Sequence, residues 1–206
     1  HVGNNSVTIR ASDSNGGTTD QSFVIVVSNT NDAPTITSTP TTTTNEDSVY
    51  TYNITVSDVD GENTTITAPT LPGWLSLTDN GNNTGTITGT PLQANVGNNS
   101  VTIRATDGSG VSVDQSFTIV VTNVNDSPTF TSTPTTTTNE DSVYSYTITV
   151  SDEDGQTVTL TAPTLPGWLT LTDNGNNTGT ITGTPLQANL GDNSVVIRAT
   201  DPSGGT

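Results

Sequence analysis

The chain has 206 residues, with no cysteine, no lysine and a single histidine, His1. These absences exclude disulfide bonds, cysteine or clustered-histidine metal sites, serine–histidine catalysis and lysine Schiff bases. The formal net charge of −17 argues against a nucleic-acid partner, because binding to a polyanion depends on lysine and arginine. We therefore expect no enzymatic activity, and we expect the acidic surface to attract cations.

Hydrophobic residues make up only 28% of the chain, and most of the polar excess is Thr, Asn, Ser and Gly. Threonine is common in strands, whereas asparagine and glycine are common in turns, so this composition fits a β-rich domain. No apolar run approaches the roughly 18 residues that a membrane-spanning helix needs. We expect no membrane insertion of this segment.

An internal repeat organises the chain. The motif VGNNSVTIR starts at Val2 and again at Val96, and its variant LGDNSVVIR starts at Leu190, so the period is 94 residues. The motifs NEDSVY and LPGWL, and the pair NDAP and NDSP, keep the same spacing. The chain is therefore predicted to be part of a tandem array of repeats.

The Asn-Asp-x-Pro segments mark the predicted domain boundaries, because a strand pattern begins directly after each of them. Residues 1–34 are predicted to be the last strands of a preceding repeat plus a linker. Residues 35–128 are predicted to form one complete repeat, and residues 129–206 a repeat that lacks its last strand.

Within a repeat, apolar and polar residues alternate with the period of two that indicates half-buried strands. In chain order, the seven predicted strands lie near 34–40, 49–56, 64–68, 74–78, 85–89, 100–106 and 115–121. Asn-Gly pairs at Asn15, Asn80 and Asn174 indicate hairpin turns, and no window has helical spacing. We predict an all-β fold of tandem seven-stranded antiparallel Greek-key β-sandwiches of immunoglobulin-like size.

Acidic and amide residues recur where the predicted strands end. Neighbouring strands in such a sandwich alternate in direction, so the second and sixth strands end at the pole where the preceding linker enters. The cluster predicted at the first linker consists of Asn29, Asn31, Asp32, Asp58, Asp60 and Asp107. The cluster predicted at the second linker consists of Asn123, Asn125, Asp126, Asp152, Asp154 and Asp201, together with Glu46 from the start of strand two.

Such clusters fit a hard cation, because Ca²⁺ takes about six to eight oxygen ligands from carboxylates, amides and backbone carbonyls. Without a cation the carboxylates would repel one another, whereas a bound ion would fix the angle between repeats. We therefore predict Ca²⁺ sites at 29–34 and 123–128. The alternative is that these Asp, Asn and Gly residues are ordinary turn residues on a solvated acidic surface.

The succession of EDSVY, SDVDGEN, TGTITGTPL, VTIRATDGSG and VTNVNDSPTF resembles a cadherin repeat. LPGWLSL followed by TGTITGTP and ATD is more specifically similar to the dystroglycan-type cadherin-like domains of bacterial surface proteins. The resemblance covers the whole repeat, and it implies a cadherin-like or immunoglobulin-like sandwich that binds Ca²⁺.

The resemblance also implies roles for particular residues. Glu46, Asp58, Asp60, Asp107 and residues 123–126 match calcium-ligand motifs of the family. Two departures are visible: residues 92–95 are Leu-Gln-Ala-Asn where cadherins carry an acidic motif, and Asn123 stands where the linker motif usually begins with aspartate. Fewer carboxylates imply fewer or weaker ions, about one or two per junction.

We expect a structural repeat module of a long extracellular or surface protein, such as a fibre or an adhesin stalk, whose partners are neighbouring repeats. One alternative is a carbohydrate-binding or homophilic adhesion domain with a polysaccharide or cell-surface ligand. Trp74 and Trp168 would then stack on sugar, although the alternating Leu75 and Leu77 favour core packing. Another alternative is a filament subunit that donates residues 20–27, a spare copy of the missing strand, head to tail.

Overall fold

The computed structural model describes residues 2–206, and almost all of its regular structure is β-strand. The strands up to residue 122 are β1 (Gly3–Ser12), β2 (Thr18–Val27), β3 (Thr35–Ile36), β4 (Thr43–Asn45), β5 (Tyr50–Ser57), β6 (Thr65–Thr70), β7 (Leu75–Asp79), β8 (Thr84–Gly89), β9 (Gly97–Thr106) and β10 (Ser112–Thr122). They are followed by β11 (Thr129–Phe130), β12 (Tyr144–Ser151), β13 (Thr159–Thr164), β14 (Leu169–Asp173), β15 (Thr178–Gly183) and β16 (Val196–Thr200). Two short 3-10 turns lie at Gln93–Asn95 and Gln187–Asn189.

The chain forms two compact units. The first unit takes in residues up to 42, 49–89 and 99–119, and the second takes in 43–48, 90–98 and 120–206. In the first unit, β3, β5, β8 and β7 form one sheet in that order, and β10, β9 and β6 belong to another. In the second unit, β11, β12, β15 and β14 form one sheet, β13 pairs with β16, and β4 pairs with the end of β10.

The alternating pattern of β5 shows why these sequences form sandwiches. Tyr50, Tyr52, Ile54 and Val56 are 3%, 4%, 0% and 8% exposed, whereas the residues between them are exposed. Complete burial of an aliphatic side chain contributes about 1.5–3 kcal/mol, so a strand of this kind is stable only with one face in a core. The predicted fold of tandem β-sandwiches is confirmed.

The predicted strand near 34–40 is shorter in the structure, where it is β3, and a further short strand, β4, follows it. β3 pairs with β5 in antiparallel orientation, whereas β4 pairs with β10 in parallel orientation, with Thr43 opposite Val120. Pro40 lies between β3 and β4 and cannot donate to a strand ladder, so the strand is interrupted there. Residues 35–128 therefore contain eight strands instead of the predicted seven, and this parallel pair is an exception to the antiparallel pairing of the others.

β1 and β2 form a separate two-stranded ribbon, in register from the Gly3–Val27 pair to the Ser12–Thr18 pair. All ten residues of β2 are exposed, including Phe23, Ile25 and Val27. The ribbon therefore presents Ile25 and Val27 to solvent, whereas Ile119 and Val121, 94 residues later in β10, are 0% and 1% exposed. Among residues 2–206, no helix has the length and apolar character needed to cross a membrane.

Candidate metal centre

Four segments of the second unit supply acidic residues around the second linker. Glu46 follows β4, Asp126 lies in the linker between β10 and β11, Asp154 follows β12 and Asp201 follows β16. Glu46 and Asp201 come directly after a strand, whereas Asp126 and Asp154 lie within the linker and the turn.

Glu46, Asp126 and Asp154 each offer one carboxylate oxygen to a common group, and the three oxygens lie within 4.8 Å of one another. Glu46 is 1% exposed, and the two aspartates are half-buried. Carboxylates at this spacing repel one another unless protons or a cation neutralise them. Because every donor is a carboxylate oxygen, the set suits a hard cation such as Ca²⁺ better than a thiophilic metal.

Glu46 is held toward the linker by backbone hydrogen bonds. The N–H of Val124 donates to Glu46 Oε1 at 2.6 Å, and the N–H of Glu46 donates to the Thr122 carbonyl at 3.0 Å. Asp47 adopts a left-handed conformation with φ of 57°, and its N–H donates to the Pro91 carbonyl at 2.8 Å. These contacts fix the chain on both sides of the Glu46 carboxylate.

Asp154 connects the turn after β12 to the linker. Its Oδ1 accepts from the Asn123 amide at 2.8 Å, and its Oδ2 accepts from the Asp126 N–H at 2.8 Å. Burial raises the pKa of Asp126, and the charges of Asp47, Asp154 and Asp152 raise it further. Removal of a negative charge is thus favoured at the linker, and a bound cation would relieve the same repulsion.

Gln93 is a member of this site that the sequence analysis did not identify. One atom of its terminal amide lies 2.7 Å from Glu46 Oε2 and 2.7 Å from Asn123 Oδ1. With the nitrogen in that position the amide donates to both oxygens, whereas with the oxygen there it completes a group of oxygens around a cation. The 3-10 turn at Gln93–Asn95 presents this side chain, and the non-acidic sequence of residues 92–95 concealed its role.

Asp152 supplies an independent indication of a cation. It is 9% exposed, and its Oδ1 accepts from the N–H of Gln156 at 3.1 Å. Its Oδ2 is buried, and no hydrogen-bond partner for it is found among residues 2–206. A buried carboxylate oxygen without a partner is costly, so a cation beside it would supply the missing interaction.

Asp201 has a different environment, because its oxygens are already occupied. Its Oδ2 accepts from the Asn125 amide at 2.9 Å, and its Oδ1 accepts from the N–H groups of Ser203 at 2.7 Å and Gly205 at 2.9 Å. The Asn125 Oδ1 in turn accepts from the Gln156 amide at 3.0 Å. Asp201 therefore anchors the linker, and it is not one of the three carboxylates, Glu46, Asp126 and Asp154, that form the group.

The first linker makes the same contacts within the first unit. Asp60 accepts from the Asn29 amide at 2.9 Å and from the Asp32 N–H at 2.7 Å. Asp107 accepts from the Asn31 amide at 2.9 Å. These hydrogen bonds involve five of the six residues predicted for the first cluster.

Asp58 is the sixth residue of the first cluster. Its Oδ1 accepts from the Asp60 N–H at 2.8 Å, and its buried Oδ2 has no partner among residues 2–206. Among residues 2–206, the second cluster is the one that brings three carboxylate oxygens within 4.8 Å of one another.

Hydrogen bonds lower the pKa of two anchoring aspartates, Asp201 and Asp107. The Asn125 amide holds the pKa of Asp201 below its usual range, against the opposing effect of burial, and the N–H groups of residues 203–205 lower it further. Asn31 lowers the pKa of Asp107 in the same way. Both carboxylates are therefore more stable as anions in the folded protein than in the unfolded chain.

This difference predicts a loss of stability in acid. A carboxylate with a lowered folded pKa stabilises the protein above its unfolded pKa of about 3.9, and that contribution disappears as the pH falls through the folded value. In chelator, the urea midpoint followed by tryptophan fluorescence should fall as the pH drops below about 4. Asp201→Asn should lower the midpoint at pH 7 and weaken its acid dependence, whereas Asp192→Asn, at an exposed position, should change neither.

Comparison with protein families shows two tandem matches. The family model described as "Putative Ig domain" matches residues 33–122 and 127–206. No curated protein sequence matches the chain.

Solved protocadherin structures show the same fold. Extracellular cadherin domains 1–5 of protocadherin gamma B2 are 18% identical, with a TM-score of 0.57, over 100% of this chain and 43% of that chain. The protocadherin gamma B4 extracellular domain is 18% identical, with a TM-score of 0.53, over 97% and 36%. An endo-fucoidan hydrolase of glycoside hydrolase family 107 is 26% identical, with a TM-score of 0.43, over 100% and 33%. The chain thus spans less than half the length of each of these structures.

Proposed function

The chain belongs to the family described as "Putative Ig domain", in two tandem copies, and from this premise we propose that it is a structural repeat module of a longer extracellular protein whose junctions are stiffened by Ca²⁺. The family match and the cadherin structures confirm the resemblance to cadherin-like and immunoglobulin-like tandem repeats. In this proposal the repeats are bounded at 34/35 and 128/129, and the partners are neighbouring repeats of the same protein.

The observation that carries the proposal is the meeting of three carboxylates from separate segments. The oxygens of Glu46, Asp126 and Asp154 lie within 4.8 Å of one another, and the buried Asp152 Oδ2 has no partner among residues 2–206. The donors are all oxygens, and Gln93 adds an amide. This donor set fits Ca²⁺, which accepts irregular arrangements of carboxylate and amide oxygens.

The residues divide into those that hold the ion and those that hold the linker. Glu46, Asp126, Asp152, Asp154 and Gln93 would contribute ligand oxygens. The ion supplies positive charge that offsets the repulsion among these carboxylates. The chain segments before β5, between β10 and β11, and after β12 would then be tied together. Extracellular calcium modules bind at about 10⁻⁴ to 10⁻³ M, so we expect affinity in that range.

Calorimetric titration with Ca²⁺ tests the site. Glu46→Gln keeps an oxygen that can accept from the Val124 N–H but removes the charge, so the affinity should fall about tenfold or more. Glu140→Gln is the matched control, because Glu140 occupies the equivalent position of the next repeat and is exposed. It should bind as tightly as the unaltered chain, and equal affinity in Glu46→Gln would contradict the assignment.

Small-angle scattering separates binding from stiffening. The maximum dimension of the chain should differ between saturating Ca²⁺ and chelator, and Glu46→Gln should resemble the chelated sample at Ca²⁺ concentrations that saturate the unaltered chain. If calorimetry detects the site but the scattering curve does not change, Ca²⁺ stabilises a repeat without stiffening its junction.

A further inference from the structure

Two uncharged side chains, Gln93 and Asn123, lie between two carboxylates of the candidate metal centre. The Asn123 amide donates to Asp154 Oδ1 at 2.8 Å. One terminal atom of the Gln93 amide lies 2.7 Å from Asn123 Oδ1 and 2.7 Å from Glu46 Oε2. A continuous series of polar contacts therefore runs through the two amides and joins the two carboxylates.

The contact with Asp154 fixes the orientation of the Asn123 amide. Because the Asn123 nitrogen faces Asp154, its oxygen faces Gln93. The Gln93 atom at this position thus meets three oxygens, since Glu46 Oε1 also lies 3.1 Å away. An amide nitrogen can donate two hydrogen bonds to such a group, whereas an amide oxygen would be repelled by it unless a cation lay between them. In the absence of a cation, the Gln93 nitrogen therefore takes this position.

This orientation satisfies the buried Glu46 carboxylate without adding charge. Glu46 is 1% exposed, and a buried carboxylate without hydrogen bonds is costly. The Val124 N–H donates to its Oε1 at 2.6 Å, and the Gln93 amide donates to its Oε2. Both oxygens of Glu46 are thus held by neutral donors from separate segments of the chain.

The same Gln93 side chain can serve a bound cation after a half-turn of its terminal amide. The rotation exchanges the amide nitrogen and oxygen, which have nearly the same size, so the 3-10 turn at Gln93–Asn95 need not move. The oxygen then faces the Glu46 and Asn123 oxygens, and amide oxygens are ordinary ligands of Ca²⁺. One side chain therefore suits both states of the site.

We propose that Gln93 and Asn123 are positioning residues that keep the cation site formed in the absence of Ca²⁺, and that their neutrality lowers the affinity of the site for the ion. This inference rests on the proposed calcium site. Carboxylates at the same two positions would bind a divalent cation more tightly, but in its absence they would repel Glu46 and Asp154. The two amides therefore set both the affinity of the site and the stability of the ion-free chain.

Gln93→Glu tests this proposal, because it preserves the shape of the side chain and adds one negative charge. Calorimetry should show a Ca²⁺ affinity at least about tenfold higher, since affinity rises with the number of charged ligands. In chelator, the urea midpoint followed by tryptophan fluorescence should fall, because the new carboxylate repels Glu46. A residue with a merely structural role would not move these two measurements in opposite directions.

Gln93→Met supplies the second arm, because it keeps the length of the side chain but removes the amide. Both the Ca²⁺ affinity and the midpoint in chelator should fall. When Gln93→Met is combined with Asn123→Ala in chelator, the loss should be smaller than the sum of the two single losses, since either change alone already breaks the bridge. Gln187→Glu is the control for added charge, because Gln187 is exposed in the corresponding 3-10 turn, and it should change neither measurement.

The outcomes separate this inference from the calcium site itself. Unaltered affinity in Gln93→Glu, or a midpoint in chelator that does not fall, would overturn the inference and leave the calcium site in place. Additive losses for Gln93→Met and Asn123→Ala would overturn it as well, because the two amides would then act separately. If neither the unaltered chain nor Gln93→Glu bound Ca²⁺, the proposed calcium site would be overturned together with the inference.

Discussion

Gly89→Ala is expected to destabilise the first unit by at least about 3 kcal/mol, because overpacking costs about 1–3 kcal/mol even where side chains can yield. Gly89 of β8 lies opposite Tyr50 of β5 and Leu75 of β7, so its strand is paired on both sides. A Cβ at Gly89 would lie directly against the Trp74 carbonyl oxygen and 3.2 Å from Leu75 Cα. The obstacle is backbone in the middle of a sheet, which cannot rotate away.

The chain contains its own controls for this prediction. Gly73 has no atom within 4 Å of an added Cβ, so Gly73→Ala should have little effect on the urea midpoint. Gly183 meets the Trp168 carbonyl oxygen in the same way as Gly89 meets that of Trp74, so Gly183→Ala should destabilise the second unit. Equal midpoints for Gly89→Ala and Gly73→Ala in urea unfolding would contradict the packing of β8 described above.

Trp74→Ala is expected to cost about 3–5 kcal/mol of folding free energy, the usual range for truncation of a packed aromatic side chain. The Trp74 indole N–H donates to Asn99 Oδ1 at 2.9 Å. The ring meets Tyr50 edge-on, with centroids 6.0 Å apart and planes at 80°. Trp168 makes equivalent contacts with Asn193 and Tyr144, so the arrangement recurs in the second repeat.

Trp74→Phe separates packing from ligand binding. Phenylalanine keeps most of the ring contact with Tyr50 but removes the indole N–H, so the cost should be about 1 kcal/mol. Urea unfolding measures both variants, and a glycan array measures binding. If Trp74→Ala instead unfolded at the unaltered midpoint while abolishing binding to a polysaccharide, the tryptophan would be a ligand platform and the carbohydrate-binding alternative would be preferred.

Strand alternation made the β-sandwich predictable from sequence. The buried face of β5, from Tyr50 to Val56, follows from the period of two, since burial and alternation are local properties of one segment. The short strand β4 was harder to predict from sequence. Its pairing depends on β10, a strand that begins 67 residues after β4 ends. Pro40 was the local signal that a break occurs.

The acidic residues of the candidate site could also be predicted from the sequence, whereas the different role of each residue could not. Aspartates in turns after strands can be recognised from their residue type and position. Asp154 and Asp201 both follow a predicted strand, so the sequence does not distinguish their roles. Only the structure shows that Asp201 is occupied by the N–H groups of Ser203 and Gly205. The role of Gln93 was not predicted, because its amide is uncharged and because its position depends on the 3-10 turn at Gln93–Asn95.

The parallel pairing of β4 with β10 also determines how the molecule would carry mechanical load. Tension along the chain enters β4 from its first residue and leaves β10 at its last. Two parallel strands pulled from opposite ends must slide past each other, so all their hydrogen bonds bear the force together, whereas a hairpin opens one bond at a time. The contacts loaded in this way are the Thr43–Val120 and Asn45–Thr122 pairs. The Glu46 N–H continues the ladder, because it donates to the Thr122 carbonyl, and the Glu46 carboxylate belongs to the candidate metal centre.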